Sequence, residues 1–163
     1  MIITFYISIS TTIIFRSIAD IARGEGEDIE SAETRLACLE VFALGGSSRA
    51  DDSVETGYFA VRSALAHSLS EAARHIAERG LAEKGAPALV RFISTVASRF
   101  GVTVSEKVAA MAVPAIGAVG GAVINSVFIN HFQDMAHGHF IVRRLERRYD
   151  RALIQKEYEG LEV

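Results

Sequence analysis

Hydrophobic positions along this chain recur mostly with helical spacing, and the polar punctuation between them is clear. A first helix should end near Arg23, because "GEGED" follows with two glycines and a cluster of acids. Ser31 can cap a second helix, "AETRLACLEVFAL", which should stop at Gly45-Gly46. Leu36, Leu39, Val41, Phe42 and Leu44 occupy much of that helix's circumference, so burial on several sides is expected. In the third helix, a turn of 100° per residue places Tyr58, Leu65, Leu69 and Ile76 on one face. His67, Ser70, Glu71, Arg74, His75 and Glu78 fall opposite, and Gly80 ends the segment.

Asp52 and Glu55 have capping-box spacing at the start of the third helix. Glu55 and Arg62 then lie along its apolar face, either as a buried pair or satisfied by a neighbouring helix. Pro87 suits the first turn of a fourth helix that Gly101 should close. Thr103 and Glu106 form another capping box before "SEKVAAMA", and Pro114 starts or kinks the next segment. Helix formers continue into the 150s, with an interruption expected at Gly138. Residues 2–12, uncharged and rich in β-branched and Ser/Thr residues, fit helix or strand. The pattern therefore predicts an all-α, single-domain bundle of five or six helices, with a long glycine-zipper helix near the C-terminus.

Composition supports that reading. The 163 residues are 50% hydrophobic, enough for one sizeable core, and contain only two prolines. A net charge of −3 is too small to imply a polyionic partner such as nucleic acid. Cys38, the single cysteine, excludes an internal disulfide and cysteine-built zinc sites, and its apolar neighbours favour a buried, inert thiol. The N-terminal run lacks a basic n-region and a cleavage site, and is short for a spanning helix.

The densest glycine cluster is "VPAIGAVGGAVINS", with Gly117, Gly120 and Gly121. Neither the G-x-x-x-x-G-K-[ST] nor the G-x-G-x-x-G phosphate pattern is met, so nucleotide binding is not expected. From Lys107 to His131 lie 23 residues without charge, long enough to span a membrane. Its large apolar residues supply only about −3 to −6 kcal/mol of insertion free energy. Against them stand a proline, three glycines, two asparagines and a serine, so insertion is marginal. Packing fits better: Gly117, Gly121 and Asn125 form a four-residue stripe where a second helix can approach closely.

Candidate chemistry concentrates downstream in "HFQDMAHGHF". His131, Asp134 and His137, with His139 nearby, are plausible metal ligands or acid–base partners. His131 and His137 are about 120° apart on a helix, however, which favours polar contacts at a helix–helix seam. On the third helix, His67 and His75 are separated by about 12 Å of rise, too far for one ion. The basic tail "RRLERRYDR" reads as a solvated face diluted by Glu146 and Asp150, with anionic lipid as its functional alternative. No triad or nucleophile-elbow signature is present, and no cofactor is implied.

The segments "TTIIFRSIADIARGEGED", "ETRLACLEVFALGG", "ETGYFAVRSALA" and "GVTVSEKVAAMAVPAIGAVGGAVINSVFINHFQDMAHGHFIVRRLERRY" resemble the EcsC family, over about Thr11 to Tyr149. The resemblance implies a helical bacterial protein without a defined biochemical activity. The founding member is encoded beside the ATPase and membrane subunits of an ABC transporter linked to protein secretion. The resemblance implies an atypical segment 1–12 and an EcsC-like domain over residues 13–157, with the expectation that the chain is truncated relative to the helical sequence family members usually carry upstream. A core shaped for more helices would leave apolar surface exposed, favouring a membrane surface, a membrane protein partner or a homo-oligomer. The expectation is a non-catalytic, cytoplasmic protein, peripheral at the inner face of the membrane, accessory to a transporter or secretion system. The alternative is a metal-assisted hydrolase using His131, Asp134 and His137.

Overall fold

The computed structural model describes residues 2–46, 57–79, 87–111 and 120–161, with side chains for 11–46, 57–78, 87, 89–101 and 126–161. Six helices and no strand occur among the described residues: α1 (Ile2–Gly24), α2 (Ala32–Leu44), α3 (Tyr58–Arg79), α4 (Pro87–Met111), α5 (Gly120–Arg148) and α6 (Arg151–Glu159). The ambiguous segment 2–12 is helical. The bundle is all-α, as the spacing of apolar positions requires.

Helix α2 is the hub, packing against α1, α3, α4 and α5. Its start is local: the Ser31 hydroxyl accepts from the Thr34 backbone N–H. Burial runs around its whole circumference, from Leu36 and Cys38 to Val41 and Phe42, as a helix apolar on every side demands. The aromatic core gathers at its C-terminal end. Phe42 meets Phe100 of α4 edge-on at 4.9 Å and Phe132 of α5 at 5.4 Å, and Phe128 joins Phe132 at 5.1 Å.

Gly45 and Gly46 finish α2 where three helices converge. A Cβ on Gly45 would lie 2.6 Å from the Phe132 ring, and one on Gly46 2.9 Å from the backbone of Arg99. The last carbonyls of α2 cannot be satisfied inside the helix. Arg99 Nε of α4 donates to the Ala43 carbonyl at 2.9 Å, and His131 Nε2 of α5 donates to that of Gly45 at 2.8 Å.

Three boundaries depart from the sequence expectation. Helix α4 passes through Gly101 to Met111, so Thr103 and Glu106 lie inside a helix rather than at its cap. Glycine in a helix costs about 1 kcal/mol, less than the packing of α4 on α2 and α3 returns. Gly138 likewise sits within α5, which ends instead before Asp150. The Asp150 carboxylate accepts from the backbone N–H groups of Ala152 and Leu153, opening α6. The Asp52–Glu55 capping box and Pro114 fall outside the described residues. The uncharged run 108–130 is not one described helix: α4 ends at Met111 and α5 begins at Gly120. Among the described residues, no helix is long and apolar enough to cross a membrane.

Candidate functional site

Polar side chains are rare in the core, and apart from Thr34 at the start of α2 the buried ones among the described residues converge at one junction of α2, α3 and α5. Glu40, Arg62 and His139 are 3%, 7% and 1% exposed. Glu40 reaches the junction from the middle of α2, a turn before the aromatic cluster. Tyr58 and Arg62 are one helical turn apart at the start of α3, and His139 and Glu146 lie two turns apart on α5.

The strongest link is the ion pair between Arg62 and Glu146. Both guanidinium nitrogens donate to the two carboxylate oxygens at 3.0 Å, the fork-to-fork geometry that matches these groups best. The Arg62 guanidinium also stands over the rings of Tyr58 and Phe59, at 5.4 and 5.9 Å. Burial alone would weaken the Arg62 charge, but the hydrogen bonds to Glu146 outweigh it and its pKa is raised. Tyr158 of α6 closes over the same rings, and beside them opens a small depression of about 250 Å³ lined by Ser63, Gln155 and Glu159.

Behind Tyr58 lies a second set. The Tyr58 hydroxyl and His139 Nδ1 are 3.0 Å apart, and His139 Nε2 is 3.8 Å from Glu40 Oε2. That gap is too long for a hydrogen bond, and His139 Nε2 has no partner. Burial pushes the Glu40 carboxyl up to about 7, despite Arg62 and Arg143 nearby. Burial holds the His139 imidazole well below its usual value, and those two arginines add to the effect. Tyr–His–Glu has the order of a proton relay, yet its members are set against that work. Burial raises the Tyr58 phenol far above neutrality, so it is a poor nucleophile or base.

A third set ties the α1–α2 loop to the end of α5. Arg143 Nε donates to Glu27 Oε1 at 2.9 Å, Arg147 pairs with the same carboxylate, and Arg144 meets Glu25 at 2.7 Å. Arg143 also reaches Glu33 at 3.2 Å. Glu27 is half-buried, which opposes its charge, but Arg143 and Arg147 prevail and lower its pKa. The expected solvated face of "RRLERRYDR" holds for Arg147, Arg148 and Arg151, which are exposed, and is corrected at Arg143, which α5 turns against Glu27 and Glu33. Arg144 and Arg147 also pair with acids of "GEGED", and Arg151 of α6 meets Glu146 at 3.6 Å. Cys38 is buried close by, its thiol pushed up to about 11 by burial, so an inert thiol is what the structure shows.

The histidine-rich run is dispersed. His131 caps α2, Asp134 is exposed, and His137 faces an open trough between α1 and α5 beside Arg16, Asp20 and Gln133. Among the described residues no group of His, Cys, Asp and Glu is placed to hold a metal ion. His139 turns to the opposite side, into the buried junction. Arg62 is satisfied by a neighbouring helix, and Glu55 lies outside the described residues. So does Gly117, while Gly120 and Gly121 open α5 and Asn125 lies in its second turn. Sequence reasoning missed Glu40, Tyr58, Glu27 and Glu146. A lone glutamate within the apolar stretch Leu36–Leu44 was the available signal for Glu40.

One apolar feature remains. Over α2, between α1 and α4, runs a groove of two adjoining cavities of about 450 and 490 Å³. Phe15, Leu39 and Ile93 line both, and Ile93 stays about half exposed.

In comparison with known proteins, the model of the EcsC protein family matches residues 4–145. No curated protein and no solved structure gives a match.

Proposed function

Because the chain belongs to the EcsC protein family, we propose that it is a non-catalytic helical accessory protein acting at the inner face of a membrane, in the service of a transporter or secretion system. The observation that carries this reading is the apolar groove between α1 and α4. A groove floored by Leu39 and Phe15, with Ile93 half exposed, suits docking of an apolar segment from a membrane protein partner. The polar groups support the same reading. Arg62, Glu146, Glu27 and Arg143 are engaged with one another, and their roles are structural.

Fractionation of native cells into soluble, peripheral and integral pools tests the proposal. The chain is expected in the peripheral pool, released by alkaline carbonate. Ile93→Glu places a charge in the groove and should move the chain to the soluble pool while changing stability by less than about 0.5 kcal/mol. Recovery of the unaltered protein only in the soluble pool overturns the proposal.

A further inference from the structure

The Glu40–His139 pair has a property that neither residue has alone. Both side chains are buried, their facing atoms are 3.8 Å apart, and His139 Nε2 is an orphan. An ion pair of carboxylate and imidazolium would draw together to a hydrogen bond, and each ion would carry its own desolvation cost. A protonated carboxyl opposite a neutral imidazole carries neither charge. The charged groups around the pair agree. Arg62 on α3 and Arg143 on α5 face it, with Arg151 on α6 further out, and the first two disfavour a further cation on His139. Glu146, on α5, is occupied by Arg62, and its charge raises Glu40 further. Tyr58 faces His139 from α3, and Glu27 holds Arg143 from the loop before α2.

We propose that Glu40 and His139 form a buried site for one proton, held on the Glu40 carboxyl while His139 stays neutral, and that release of this proton to water loosens the junction of α2, α3 and α5. The proton's place also sets the tautomer. His139 Nδ1–H donates to the Tyr58 oxygen, and the bare lone pair of Nε2 faces the Glu40 O–H, within reach after a movement of under about 1 Å. In solution the order of protonation is reversed, since an imidazole holds its proton to higher pH than a carboxyl does.

The inversion gives opposite signs to the two residues. Glu40 has a folded value raised from 4.5 to about 7, so its contribution to stability is complete below 4.5 and lost as pH rises to 7. His139 has a folded value depressed from 6.5, so its contribution is complete above 6.5 and lost as pH falls. Between 4.5 and 6.5 the folded and unfolded states each hold one proton of the pair, and the two slopes cancel.

Single replacements uncover each slope. Measured against the unaltered protein over that window, Glu40→Gln should make the unfolding constant fall with rising pH by up to roughly tenfold per pH unit. His139→Gln should make it rise by a similar factor. Equal slopes in all three proteins overturn the proposal. Should either variant fail to fold, NMR of the intact chain reads the same property. The Glu40 carboxyl carbon should titrate near neutrality, and the His139 ring nitrogens should report a neutral imidazole throughout. An ionised Glu40 beside a protonated His139 at about pH 6 overturns the inverted order. Loosening is read by amide exchange along α2, which should quicken between about pH 6 and 8 beyond its intrinsic rise, and not in Glu40→Gln. The same excess in Glu40→Gln, or none in the unaltered protein, overturns the coupling.

Discussion

The two halves of α5 meet the rest of the bundle in different ways. Around Phe128 and Phe132 the contact is aromatic, and the close approach to α2 is set by the missing side chain of Gly45. From His139 to Arg147 the contact is made of buried or half-buried charges: Arg62 with Glu146, and Glu27 with Arg143 and Arg147. The aromatic end is held by apolar area and shape, which tolerate small errors of charge but not of volume. The ionic end is held by matched partners, each of which would be costly alone.

The difference can be broken most sharply at the ionic end. Arg62→Ala leaves the largely buried Glu146 with only the looser, exposed Arg151 as counter-charge and should cost up to about 3–5 kcal/mol in chemical denaturation. Replacing both, Arg62→Met with Glu146→Leu, should recover most of that loss. If the double variant is no more stable than the single, the orphaned charge is not the cause. At the aromatic end, Gly45→Ala forces a methyl into the Phe132 ring and should cost at least about 1–3 kcal/mol. An unchanged melting temperature would contradict the close approach of α2 and α5. Gly138 supplies the contrast within the same helix. A Cβ there meets nothing within 4 Å, so Gly138→Ala should stabilise α5 by about 0.5–1 kcal/mol, readable as a small rise in melting temperature.

The same contrast explains what the sequence disclosed. Helix ends fixed by neighbouring residues were readable, since Ser31 finds Thr34 three positions away and the Gly45-Gly46 pair marks its own stop. Gly101 and Gly138 misled because a glycine ends a helix only when the chain must turn there, and α4 and α5 run straight through these two. The face of α3 with Leu65 and Leu69 was legible from periodicity. The partners of Arg62 and Arg143 were not, because Glu146 and Glu27 lie 84 and 116 residues away and pattern alone carries no such distance. The acids of "GEGED" and the arginines of "RRLERR" were both visible as charge clusters. Their complementarity became meaningful only once α1 and α5 packed together.

Helix α2 owes its two ends to different parts of the chain. Its beginning is complete as soon as Ser31 and Thr34 exist, whereas its last carbonyls are bound by Arg99 and His131, 56 and 86 residues further on. During synthesis the hub of the bundle is therefore made early and finished late. Its final turn must wait for α4 and α5, and so records in one helix the non-local contacts that slow the folding of the whole domain.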